Sequence, residues 1–282
     1  MKRPVEIQKM ILGTQTLVNL TGVFEGIASM RIAQIKNQVL QSQSYFDRLW
    51  QMYSQITIAP FGFGRQHTDQ EVINKELFIV ITAEGGFSGD IDQKLITWML
   101  EHYDKEKNEI VVIGHHGAIQ LSQRGVSFKK YFKLPTRDDN INVSPIIREV
   151  QNYASTTVFY QTYVSLSVQD VKRISLSKAV EEQGKNVKKS GEVINEITYI
   201  FEPSVFAVVN HLERSMMKIA LTQVILESKL AQYASRFRAM TASHDLANET
   251  LTDYKLAYHR SKRAVKDERL KEMINGLRKA HV

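Results

Sequence analysis

The segment TAEGGFSGDID, Thr82 to Asp92, lies between a β-branched run and an amphipathic one. A glycine-rich turn in that place can cradle phosphate oxygens with its backbone amides. It lacks the lysine and hydroxyl of GxxxxGK[ST], and Gly85, Gly86 and Gly89 do not make GxGxxG. It reads as a tight strand-to-helix turn with Asp90 capping the helix. His115 and His116 in GHHG offer imidazoles to a metal, but adjacent positions do not share a face, and no acidic or histidine ligand stands at helical spacing. They read as a loop pair after a strand. Asp90 with Asp92, and Asp138 with Asp139, are neighbours in sequence, and neighbours seldom face each other across a substrate. His244 beside Asp245 has acid–base types, but a polar interruption that sets helix register, or a partner contact, is the better reading. No G-x-S-x-G occurs, so no catalytic, cofactor or metal residue is expected.

The elements that would position these groups are unusual at both ends. From Ser204 to Asn275 the chain has neither glycine nor proline; as one helix this would extend about 110 Å at 1.5 Å per residue. Steps of three and four give Val209, Leu212, Met216, Ile219, Gln223, Leu226, Leu230, Tyr233, Phe237, Met240, His244, Ala247, Leu251, Tyr254 and Tyr258, all apolar except Gln223 and His244. Such a 3.5-residue period predicts a left-handed coiled coil, which needs a second strand. The N-terminal region supplies one through Ile7, Met10, Thr14, Leu17, Thr21, Phe24, Ala28, Arg31, Ile35, Gln38, Ser42, Tyr45, Leu49, Met52 and Ile56. This seam has polar gaps, and Gly13, Gly22 and Gly26 each weaken the helix by up to ~1 kcal/mol.

Between the helices, Leu77–Ala83 and Ile110–Gly114 are short β-branched runs flanking an amphipathic helix, Ile91–Tyr103, an order that implies a parallel strand pair. A helix with Ser144 as N-cap and Pro145 first, one or two strands in Thr157–Ser177, a linker or hairpin tip at Glu181–Glu192 and a last strand at Glu196–Pro203 complete the middle. APFGFGRQHTD punctuates the chain after Ile58. The expected organisation is a coiled-coil helix over 1–58, a globular α/β domain over 75–203 with a Rossmann-like, mostly parallel sheet, and a second coiled-coil helix over 204–278. The two helices form an antiparallel pair with the domain inserted between them.

Composition excludes some classes. Hydrophobic residues are 43% and charged residues 24% of 282, near globular averages, and no apolar run reaches the ~18 to 20 residues of a membrane span. No secretory signal or clear transit peptide is read at the N-terminus, and zero cysteines exclude disulfides and thiolate metal sites. The net charge of +7 suits acidic partners. Beyond Tyr258, Arg260, Lys262, Arg263, Lys266, Arg269, Lys271, Arg278 and Lys279 oppose only Asp267, Glu268 and Glu272. That end is either a solvated face or a contact for acidic protein loops or nucleic acid, and the lack of interleaved aromatics counts against nucleic acid.

ESKLAQYASRFRAMTASHDLANETLTDYKLAYHRSKRA resembles the C-terminal signature of the gamma subunit of F-type ATP synthases through Glu227, Arg236, Ala239, Met240, Ala242, Leu256, Tyr258 and Ala264, with Lys262 in the place of an arginine. KEMING is similar to the terminal motif through Glu272 and Gly276, and FEP at Phe201–Pro203 to the Y-E-P that opens the family's last helix. The turn keeps Thr82, Gly85 and Gly89 of S/T-D-R-G-L-C-G-G, and the N-terminus keeps Glu6, Ile7, Ile11, Thr21 and Ala28. The chain departs at Gly22, Val23 and Phe24, which replace K-A-M of the T-K-A-M motif, and at Arg269, where a glutamate is usual.

The resemblance implies a central rotor shaft that turns inside a hexamer of three alpha and three beta subunits and stands on a membrane c-ring beside an epsilon-type stalk subunit. It implies a peripheral protein on the cytoplasmic face of a bacterial membrane, a monomer within a hetero-oligomer, without a cofactor or a catalytic site of its own. By resemblance, contacts to the catalytic hexamer fall on Thr21, Phe24, Glu25, Arg236, Met240, Arg260, Lys262, Arg263, Lys266 and Arg269, with Leu226, Leu230, Tyr233, Phe237, Met240, Leu251 and Tyr254 in the seam. The alternatives are a gamma-like shaft of another ATP-driven machine, and a basic coiled-coil scaffold or nucleic-acid binder.

Overall fold

A computed structural model of the chain describes residues 3–55, 73–135, 141–185, 200 and 202–280. Two helices lie at the ends of the sequence, α1 (Pro4–Gln55) and α6 (Val205–Ala280). Between them come β1 (Ile73–Ile81), α2 (Ile91–Leu100), β2 (Asn108–Ile113), α3 (His115–Gln123), β3 (Lys130–Phe132), α4 (Ser144–Val150), β4 (Tyr153–Tyr163), β5 (Gln169–Ser175) and α5 (Leu176–Lys185). The chain divides into two compact units, residues 1–28 with 237–282, and residues 29–236.

The larger unit is a five-stranded sheet in the order β3-β2-β1-β4-β5. β1 pairs in parallel with both β2 (Ile81 opposite Ile113) and β4 (Val80 opposite Phe159), β2 pairs in parallel with β3, and β5 closes the edge antiparallel to β4. The strands alternate sides. Phe78, Val80, Ile110, Val112 and Phe159 bury one face with Leu95, Ile96, Met99 and Leu121 from α2 and α3. Leu77, Ile79, Ile81, Val111, Ile113 and Val158 bury the other with α4, Phe46 of α1, and Met216, Leu221 and Ile225 of α6. Near-continuous apolar strands are what a parallel sheet covered on both faces requires. The order runs outward from β1 to β3 and then jumps to β4 on the far side, so the winding reverses between β1 and β4.

The smaller unit pairs the start of α1 with the end of α6. Glu25 meets Thr241 and Thr21 meets His244, so one helix advances as the other recedes; in the larger unit Tyr53 meets Glu213 in the same sense. The pairing is antiparallel in each unit. On α6 the period found in the sequence is the period of burial: Met240 and Leu251 are buried, and Phe237, His244, Ala247, Tyr254 and Tyr258 are partly so. On α1 the first position of each described heptad is buried or half-buried, but at Leu17, Arg31 and Tyr45 the better-buried companion sits one residue later than expected. Leu17 and Tyr45 are 56% and 58% exposed, while Val18 and Phe46 are 8% and 0%.

Other expectations need correction. His115 and His116 begin α3 and are not a loop pair. Asp90 stands at the N-cap of α2 but makes no capping bond, its carboxylate pairing with Lys94 at 2.9 Å. Val143, not Ser144, holds the N-cap position of α4. Glu181 to Lys185 belong to α5 rather than to a linker, and Ile200, Glu202 and Pro203 lie outside any strand. The expectations for Ala59–Asp69, Asp138 with Asp139, Asn186–Glu192, Glu196–Tyr199 and Phe201 fall outside the described residues.

Candidate functional site

In doubly wound sheets the crevice at the carboxyl ends of the strands, where the winding reverses, is the habitual place for a ligand. Here that crevice lies beside Thr82, after β1, and Gln161, near the end of β4, and α6 fills it. Ser228, Gln232, Ser235 and Arg236 recur at spacings of three and four and so present one helical face. Gln161 is the hub. Its Nε2 donates to Asp92 Oδ1 at 2.7 Å, while its Oε1 accepts from Ser228 Oγ and from Gln232 Nε2 at 3.3 Å. Gln232 Nε2 also donates to Ser228 Oγ at 3.0 Å. Ser235 Oγ donates to the Ser88 carbonyl at 2.7 Å, and Thr162 Oγ1 donates to Glu227. Net contributions near 1 kcal/mol each make such a network a firm attachment only because it is dry and nearly fully satisfied. Thr82, Ser88, Asp92, Gln161, Ser228 and Ser235 are all almost completely buried.

Arg236 finishes the attachment. Its Nε donates to the Gly86 carbonyl, and its Nη2 to the Gly85 carbonyl and Ser88 Oγ, each at 3.2 Å. The glycine-rich turn thus presents carbonyls to a cation, the reverse of a phosphate cradle, which presents amides. Burial holds the guanidinium below its ordinary pKa.

Asp92 also accepts from the Ala83 amide at 3.3 Å and from His116 Nδ1 at 3.0 Å. The carboxylate is acceptor-only, so Nδ1 carries the hydrogen. The bond to Asp92 raises the imidazole pKa above its usual value, against burial and against the charge of Arg236. The glycines of GHHG serve packing. Gly114 has φ +101° and a Cβ there would lie 2.1 Å from the Thr82 carbonyl oxygen; one on Gly117 would lie 2.6 Å from Thr82 Oγ1. Thr82 Oγ1 accepts from the Gly117 amide at 2.9 Å, so α3 can seat on β1 only where side chains are missing. Among the described residues no group of three or more His, Asp or Glu could hold a metal ion.

The smaller unit has its own polar contact. His244 Nδ1 lies 3.2 Å from Thr21 Oγ1 and 3.1 Å from the Val18 carbonyl. A carbonyl only accepts, so Nδ1 is the protonated nitrogen. Thr241 Oγ1 lies 2.9 Å from Glu25, and a Cβ on Gly22 would lie 3.5 Å from the His244 ring.

This arrangement, two terminal helices bracketing a doubly wound sheet with one helix keyed into its crevice, has counterparts. A family model described as ATP synthase matches residues 5–278. The chain belongs to that family. Its relatives include the ATP synthase gamma chains of Chlorobium phaeobacteroides, 25% identical over 96% of each chain, and Staphylococcus aureus, 23% identical over 96% of each. Among solved structures it is similar to a chain of the Euglena gracilis mitochondrial ATP synthase, with a TM-score of 0.67, 12% identity and coverage of 99% and 94%. A rotor chain of the same enzyme gives a TM-score of 0.61 at 11% identity, covering 93% and 98%.

Within this ATP synthase family member, the signature residues Glu227 and Arg236 bracket the joint between helix and sheet. Of the residues expected to contact a hexamer, Thr21, Glu25 and Met240 pack or bond within the chain, Arg236 lies on the turn carbonyls, and Phe24 is half-buried. Arg260, Lys262, Arg263, Lys266 and Arg269 are exposed. Leu226 and Leu230 are buried and Tyr233 partly so. The sequence reading missed Gln161, Ser228, Gln232 and Ser235. For Ser228, Gln232 and Ser235 the only sequence signal is polar residues on a helical face that is otherwise apolar, and Gln161 is a polar residue inside the strand β4.

Proposed function

We propose that this chain is the central-stalk rotor subunit of an F-type ATP synthase, carrying torque between a membrane ion-driven ring and a catalytic hexamer. The observation that carries the reading is the keyed attachment of α6 to the sheet through Gln161, Asp92, Ser235 and Arg236, in a chain matched by the ATP synthase family model from residue 5 to 278. A helix that must transmit torque needs an anchor that resists rotation about its own axis. Directional hydrogen bonds fix the azimuth of a helix in a way that apolar packing alone, being non-directional, does not.

On this reading the partners are three alpha and three beta subunits, an epsilon-type stalk subunit and the c-ring. The exposed basic residues from Arg260 to Arg269 face acidic loops of the beta subunits. The chain contributes no catalytic residue itself and works peripherally, at the cytoplasmic face of a bacterial cell membrane. No helix among the described residues is long and apolar enough to cross a membrane.

The test is affinity capture of the tagged chain from a mild-detergent extract. Alpha and beta subunits are expected in threefold molar excess, with the c-ring present. Recovery of the chain alone, or with unrelated proteins, would overturn the reading.

A further inference from the structure

Where α2 ends, the sheet goes on. α2 has 10 residues and spans about 15 Å, whereas β4 has 11 and spans about 36 Å, so the helix cannot cover the strand along its whole length. The uncovered stretch is the floor of an open pocket of about 430 Å³, a volume in the range of small-molecule sites. Glu76 of β1, Thr157 of β4, and Arg173 and Ser175 of β5 lie on that floor, while His102, just past α2, and Lys178 of α5 form walls. The His102 ring is held by Nδ1 donating to the Trp98 carbonyl at 2.9 Å and by an edge-on contact with the Trp98 ring at 5.3 Å. None of the lining residues belongs to α6 or to the glycine-rich turn.

Opposite charges stand in this pocket without pairing. The half-buried Glu76 gives its carboxylate to neutral donors: Oε1 accepts from the Thr157 hydroxyl at 2.5 Å and Oε2 from Asn108 Nδ2 at 3.4 Å. Among the described residues the side chains of Arg173, Ser175 and Lys178 have no hydrogen bond or ion pair. The sheet order explains the separation. β4 lies between β1 and β5, so Glu76 and Arg173 start two strand spacings apart, about 9.5 Å. The pocket therefore has a negative end on β1 and a positive end on β5 and α5, with open space between them. A guanidinium fork, an ammonium and a hydroxyl offer more donors than one carboxylate can use, and they match the three oxygens and double charge of a phosphate. The Glu76 oxygens at the other end match an ammonium.

We infer that this pocket binds a small zwitterion with a phosphate at one end and an amine at the other. Arg173, Ser175 and Lys178 hold the phosphate, and Glu76 takes the amine. The inference does not depend on the rotor reading.

The test is calorimetric titration of the full chain with three probes in separate experiments: glucosamine 6-phosphate, which has both groups; glucose 6-phosphate, in which a hydroxyl replaces the amine; and glucosamine, which lacks the phosphate. Expected is saturable binding of glucosamine 6-phosphate, with each of the other two at least tenfold weaker. Arg173→Gln should weaken both phosphates at least tenfold, whereas Glu76→Gln should weaken glucosamine 6-phosphate at least tenfold and leave glucose 6-phosphate unchanged. Lys172→Gln is the control, since Lys172 is an exposed cation next to Arg173 that does not line the pocket. Circular dichroism checks the fold of each variant, and the comparison of probes on the parent chain needs no variant. Absence of saturable binding, equal affinity of the parent for the two sugar phosphates, no effect of Glu76→Gln, or a loss in Lys172→Gln equal to that in Arg173→Gln would overturn the inference.

Discussion

Gln161 donates to Asp92 at 2.7 Å in a place where neither side chain meets solvent, at 0% and 2% exposure. One carboxylate and one amide thereby tie β4 to the start of α2, and through Ser228 and Gln232 to α6.

Asp92→Ala removes the acceptor used by Gln161, His116 and the Ala83 amide. Breaking a buried charged interaction from one side costs about 3–5 kcal/mol. Urea unfolding of the full chain should show a midpoint lowered accordingly, with little change in slope. A loss under 1 kcal/mol would mean that the network carries no structural weight.

The bond between His116 and Asp92 makes stability depend on pH. Because the folded-state pKa lies above the unfolded value of ~6.5, the stabilisation is complete below pH ~6.5 and is lost as pH rises through the folded value. The melting temperature should therefore fall across that interval above pH 6.5, and His116→Asn should flatten the dependence. A melting profile in that variant identical to the parent would refute the assignment.

Glycine substitutions should divide by environment. At Gly13 and Gly26 a Cβ meets nothing within 4 Å, so alanine there should stabilise α1 by about 0.5–1 kcal/mol each. Gly114→Ala places a Cβ on the Thr82 carbonyl at positive φ and should destabilise by several kcal/mol. Thermal melts of the three variants decide both signs.

Leu251 is 5% exposed within the helix pair. Leu251→Asp puts a charge into that seam, where its burial is strongly unfavourable. In reconstituted membranes the assembled enzyme should lose ion pumping more than ATP hydrolysis, or fail to assemble. Full coupling would contradict the role given to the seam.

The sequence made the period of both long helices legible, because a 3.5-residue repeat is a one-dimensional signal that packing must respect. It could not choose between Leu17 and Val18, or between Tyr45 and Phe46, because both members of each pair are apolar and only the partner helix or sheet decides which is covered. The strand pair β1 and β2 was also legible, from its β-branched runs. The joint was not. Thr82, Asp92, His116, Gln161 and Ser235 come from separate elements, and nothing in a linear reading brings a glutamine at the end of one strand to an aspartate at the start of a distant helix. The GHHG segment was misread for a related reason: its glycines answer to the carbonyl and the side chain of Thr82, which is adjacent only in space.

The crevice between β1 and β4 is occupied by a segment of the same polypeptide. A free ligand dissociates at a rate fixed by its affinity and returns at a rate fixed by its concentration, whereas a covalently tethered occupant faces neither dilution nor exchange with metabolites. An architecture suited to reversible recognition has in this way become a permanent fastening, whose strength is the same at every ligand level in the cell.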